Sequence, residues 1–106
     1  MNIYLLTNPL AQKHHWQSAV VIASTRDQAQ YLHPKVSEEY VVHWNTDMEA
    51  WIKLLGVGGI TLYQNNGWCN PNEVSIQNLG VADCDHRLTE PTVILARRKP
   101  CGDCNI

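Results

Sequence analysis

Residues 16–34 read WQSAVVIASTRDQAQYLHP. Ala19-Val20-Val21-Ile22-Ala23 is a short apolar run rich in β-branched side chains, the pattern of a strand covered on both faces. Ser24 and Thr25 change the local rules, because a hydroxyl side chain followed by Asp27 and Gln28 supplies an N-cap with polar partners about three positions on. Ala29 and Leu32 give a narrow apolar stripe. Pro34 ends the helix, since its ring disfavours helical geometry at His33. The stretch therefore predicts a strand feeding a helix, a unit of architecture rather than of chemistry.

Working outward, Asn2 to Thr7 reads as a first strand closed by the turn-favouring pair Asn8-Pro9. The connection Leu10 to His15 is short enough for residues 17–23 to return antiparallel, with Lys13-His14-His15 exposed. Tyr40 to Trp44 has high β-propensity at every position except His43. A second helix is expected after it: Thr46 and Glu49 have capping-box spacing, Met48, Trp51, Ile52 and Leu55 repeat at i, i+3, i+4, i+7, and Gly56 can stop the helix in left-handed geometry. Gly56 to Gly59 is then a joint leading to a strand at Ile60 to Tyr63. Asn66-Gly67 suits a type I′ hairpin with Trp68-Cys69 on the return strand. Val74 to Gln77 alternates as a half-exposed strand, and the change of phase at Leu79 and Val81 around Gly80 predicts a bulge. Asp83 to Pro91 reads as a polar loop, and Thr92 to Ala96 as a last strand, interior in character. The sum is a single α+β domain over residues 1–99, an antiparallel or mixed sheet of about five short strands packed against two helices. Residues 100–106 form a tail.

The bulk properties narrow the function classes. A chain of 106 residues is long enough for one core without disulfides. Its net charge of −2 gives no global electrostatic reason to bind nucleic acid. The N-terminus lacks the basic start and cleavage site of a secretory signal, and its apolar run is too short to span a bilayer, so a cytoplasmic setting is expected. In that compartment the four cysteines mean thiols or a metal site more often than disulfides.

Cys101 and Cys104 have the C-x2-C spacing that lets two thiolates hold one tetrahedral ion, a structural zinc being the cofactor such ligands would take. Cys69, Cys84, His86, His43 or His14-His15 would have to complete the set, and no second pair of matching spacing is present. A thioredoxin-like role does not fit, because that pair opens a helix. Cys84 and His86 place a thiol near an imidazole without the spacing of a triad. Gly56 to Gly59 lacks the Lys-Ser/Thr of a phosphate-binding loop. Arg97-Arg98-Lys99 reads as a solvated edge guard, or as a small phosphate-contacting patch. Of the aromatic residues, Trp51 falls on a core stripe, whereas Trp16, Tyr63 and Trp68 flank predicted turns and either close one end of the core, the role large rings more often have, or serve as interface anchors, for which Arg97 and Arg98 are further candidates.

The N-terminal strand Met1-Asn2-Ile3-Tyr4-Leu5-Leu6-Thr7, the strand Ser18-Ala19-Val20-Val21, the helix closing on His33-Pro34, and the strands Leu79-Gly80-Val81-Ala82 and Val93-Ile94-Leu95-Ala96 resemble, in this order, a family of small uncharacterised proteins of bacteriophages and bacteria. The resemblance covers about half the chain, in core and turn residues, and brings no catalytic motif. Two departures stand out: the segment from Val36 to Pro71 is longer than the family pattern, and the chain continues past the last strand into Arg97-Arg98-Lys99 and the two terminal cysteines. Small size, the absence of a convergent catalytic set, aromatic residues at predicted loops and this resemblance together lead to the expectation of a non-catalytic binding protein carried by a phage or mobile element, acting on a bacterial host protein, for example as an inhibitor of a defence system such as an anti-CRISPR. A homodimer is an alternative assembly. The competing expectation is a small zinc-dependent nucleic-acid-binding domain built on the C-x2-C pair and the basic patch.

Overall fold

The computed structural model describes residues 1–35, 40–56, 58–81 and 91–99. Strands β1 (Asn2–Thr7), β2 (Trp16–Ala23), β6 (Ser75–Val81) and β7 (Thr92–Arg98) form one antiparallel sheet in the order β6-β1-β2-β7. Strands β3 (Tyr40–Asn45), β4 (Ala50–Leu55) and β5 (Ile60–Leu62) form a second antiparallel sheet in chain order. Helix α1 (Arg26–Gln30) follows β2. The domain is thus mostly antiparallel β, with seven strands in two sheets and a single short helix among the described residues, rather than one sheet of about five strands on two helices.

The strand-to-helix unit forms as its residues dictate. Thr25 is the N-cap, its Oγ1 accepting from the Gln28 backbone N–H at 3.2 Å, while Gln28 Oε1 accepts from the Ser24 N–H at 3.0 Å. Two amides at the helix start are satisfied reciprocally. The helix stops at Gln30 rather than reaching His33, which leaves His33 free to turn inward.

The expected second helix is a β-hairpin. Asn45 Oδ1 accepts from the Met48 N–H at 2.9 Å, so a side chain caps a turn here rather than a helix. Glu49, with φ of 50°, reverses the chain, and β4 pairs residue for residue with β3. Trp51 lies opposite Trp44 and meets its ring edge-on at 5.3 Å. A full ladder with the β-prone segment Tyr40–Asn45, plus that ring pair, outweighs a capping signal worth about 1 kcal/mol.

Three further expectations are corrected. Positive φ falls at Asn65 (54°) and Gly67 (76°) rather than at Asn66-Gly67, so no type I′ hairpin forms and Trp68-Cys69 is a buried connection, not a strand. The last strand is an edge: among the described residues β7 pairs with β2 alone, leaving Ile94 and Leu95 53% and 65% exposed. The bulge, in contrast, sits where the phase change places it. Gly80 pairs with Ile3 and Asn78 with Tyr4, so Leu79 is the extra residue, and Gly80 adopts a φ of 139° that side chains disfavour.

The inner face of the four-stranded sheet contributes Tyr4, Leu6, Ala19, Val21 and Ala23 to the core. Ala29 closes it from the helix. Trp51, Trp68 and Cys69 close it from the side of the smaller sheet, with Val42, Trp44 and Tyr63 packed against them. No helix among the described residues is long and apolar enough to cross a membrane.

Candidate binding surface

The two sheets are joined by a seam of rings centred on His33. This imidazole is only 4% exposed and touches Trp51 edge-on at 5.0 Å, Tyr63 at 5.4 Å and Trp68 at 6.4 Å between ring centroids. Nδ1 accepts from the Lys35 backbone N–H at 2.9 Å, which assigns the ring proton to Nε2. Nε2 then donates to Asn66 Oδ1 at 3.0 Å. The same Asn66 oxygen accepts from the Trp68 N–H at 2.9 Å, and Asn66 Nδ2 donates to the Tyr63 carbonyl at 3.0 Å. Burial, helped by the nearby Lys35 charge and opposed by the Asn66 bond, lowers the His33 pKa from 6.5 to about 4. A neutral imidazole with both nitrogens engaged is a bolt, not a proton carrier.

The residues singled out in sequence fall into two groups around this seam. Tyr63 and Trp68 belong to it directly. Trp68 is 8% exposed, and its indole N–H has no partner among the described residues. Lys53 lies 4.5 Å from the Tyr63 ring centroid and 4.8 Å from that of Tyr40. Burial first, then the neighbouring Tyr40 hydroxyl, pushes the Tyr63 phenol pKa upward. Trp16 and Arg98 form the second group: the guanidinium stacks 4.1 Å from the indole centroid and Nη1 donates to the His14 carbonyl at 2.8 Å. Lys99 Nζ donates to the Ala11 carbonyl at 3.0 Å. Arg98 and Lys99 therefore clamp the connection before β2, where a solvated guard was expected, while Arg97 stays on the exposed side of β7.

Of the four candidate metal ligands, Cys84, Cys101 and Cys104 lie outside the described residues, as does His86. Cys69 is 5% exposed inside the core, and burial pushes its thiol pKa up to about 11. Its carbonyl accepts from the Trp51 indole N–H at 3.1 Å. Among the described residues no group of three or more His, Cys, Asp or Glu side chains is arranged to hold a metal ion.

The feature that motif reading missed is the outer face of the smaller sheet. Opposite residues in an antiparallel ladder share a face. Val41, Leu54 and Ile60 therefore form one cross-strand rank, and His43, Ile52 and Leu62 the next. Val41, Ile60 and Leu62 are 55%, 61% and 46% exposed. Alternation in Tyr40–Asn45, with Val41 and His43 on the opposite side from Val42 and Trp44, carries the signal for this face, provided Ala50–Leu55 is read as a strand.

Comparison with known proteins adds no relative: no family model, curated protein or solved structure matches the chain.

Proposed function

We propose that this is a non-catalytic binding protein that docks on another protein through the outer face of its three-stranded sheet. The observation that carries the reading is the aliphatic set Val41, Leu54, Ile60 and Leu62, in register over three strands around the buried Ile52, with three of its members about half exposed or more. Aliphatic side chains held in ranks on a rigid sheet match the dry centre of a protein interface. The patch falls within residues 36–71, the segment that departs from the phage-family pattern, which favours a target peculiar to this chain. That family resemblance supports a phage or mobile-element origin, a bacterial host protein as partner and the bacterial cytosol as the setting, with inhibition of a defence system such as an anti-CRISPR as its specific form.

The test is a paired affinity capture from bacterial lysate with the native chain and with the double variant Ile60→Glu/Leu62→Glu. These positions are exposed, so the variant should keep its stability to within about 0.5 kcal/mol. A host protein retained by the native chain and lost by the folded variant supports the reading. A host protein retained equally by both, or no host protein retained by either, removes it. If the native chain instead elutes as a dimer that the variant dissolves, the patch serves a second copy of this chain.

A further inference from the structure

Two clefts adjoin where α1, the β3–β4 turn and residues 70–72 meet. The first, about 280 Å³, is walled by Tyr31 and Trp44, with Asn72 on its rim. The second, about 260 Å³, runs past Tyr63 to Gln64. Glu49 and Asn70 line both, which makes the two a single groove. We propose that this groove binds a short uncharged oligosaccharide.

The chemistry of the lining selects that class. Tyr31 is 48% exposed and Trp44 half-buried, so ring surface is available for a sugar face to stack on. The side chains of Glu49, Gln64, Asn70 and Asn72 make no hydrogen bond with any described residue, leaving amide donors and carbonyl or carboxylate acceptors side by side along the groove. Hydroxyl groups both donate and accept, and a row of them is the partner that uses both halves of each amide. Among the described residues neither cleft is lined by Lys or Arg, the nearby Lys53 ammonium being held over the Tyr40 and Tyr63 rings, and Glu49 would repel a phosphate or carboxylate. Nucleotides and acidic peptides are thereby disfavoured.

Glu49 adds an independent observation. Its φ of 50° is a left-handed conformation in which glycine would sit without strain. The position therefore carries a carboxylate at the expense of backbone comfort, at the point shared by both clefts. This reading does not depend on the docking face: Val41 and Ile60 do not line the groove, and Leu62, which lines its second cleft, is not one of its polar groups.

The experiment is a two-dimensional NMR titration of the full chain with chitotriose, cellotriose and maltotriose in turn, each to about 20 mM, the range expected for a shallow site held by a few hydrogen bonds. A capped neutral tripeptide and AMP serve as comparators. At least one trisaccharide should give saturable shifts centred on Tyr31, Trp44, Glu49 and Asn70. Glu49→Gly, which relieves the turn and leaves the fold intact, should weaken that binding about tenfold with an undiminished melting temperature. Absence of saturable shifts with all three sugars overturns the proposal, as does binding indifferent to Glu49→Gly or saturation by the tripeptide or AMP alone.

Discussion

His33 and Asn66 meet at 3.0 Å, a bond between the residue that leaves the helix and the turn that follows β5. Three backbone groups depend on that pair, namely the Lys35 and Trp68 N–H groups and the Tyr63 carbonyl. The pair thus fixes the helix exit, the end of the smaller sheet and the buried Trp68 connection together.

Protonation of His33 should loosen this joint. Its pKa is lowered in the fold from 6.5 to about 4, so the unfolded chain takes up a proton that the folded chain refuses. The His33 contribution is complete above pH 6.5 and declines as pH falls toward 4, by about 3 kcal/mol in all. Urea denaturation at pH 7.5 and at pH 4.5 should give a lower midpoint at the acid pH, and His33→Gln should show a smaller difference between the two. An equal acid loss in native chain and variant would assign the effect to other groups.

Asn66→Ala should cost about 2–4 kcal/mol, because it strands the His33 Nε2–H and the Trp68 N–H without their shared acceptor. Asn66→Asp keeps an oxygen in place and adds negative charge beside the imidazole. The His33 pKa, followed by NMR of the ring protons, should then rise above about 4 toward the ordinary histidine value.

Arg98→Ala removes the stack on Trp16 and the bond to the His14 carbonyl. At an exposed site the expected loss of stability is about 1 kcal/mol. Amide exchange should quicken at Ala11 to Trp16 and stay unchanged in β1. Uniform acceleration over the whole chain would mean that Arg98 supports the fold globally and not this connection.

Gly80→Ala tests the bulge. A Cβ there meets nothing within 4 Å, so the cost is conformational, from the φ of 139° alone. Expected destabilisation is about 1–2 kcal/mol, read as a shift in denaturation midpoint without change in slope.

Several of these features were legible before any coordinates. The Thr25 cap and the Gly80 bulge depend on near neighbours in the chain, and local chemistry decides them. The segment 46–55 reads as a helix because Asn45 caps a turn with the same side-chain bond that starts one. In addition, Trp51 and Ile52 are both buried although they face opposite sides of the sheet. Two adjacent buried residues in a strand of six imitate a helical stripe. Only pairing with Tyr40–Asn45, a non-local contact, separates the two readings. In sequence His33 reads as the end of a helix, since nothing in its neighbours announces a turn residue more than thirty positions away. The groove was equally hidden: Tyr31, Glu49 and Asn70 converge through the fold and share no spacing.

The separate pairing of the two sheets has an evolutionary corollary. Among the described residues, strands 40–62 form their ladders only with one another. Mutation and recombination can rewrite that segment without re-registering any strand of the other sheet. A replacement cassette would have to restore a ring in place of Trp51 against the His33 imidazole, whereas Tyr63, Asn66 and Trp68 lie outside it and stay. One constant foundation can then be refitted with new outer faces, which makes the smaller sheet the part of the molecule freest to change.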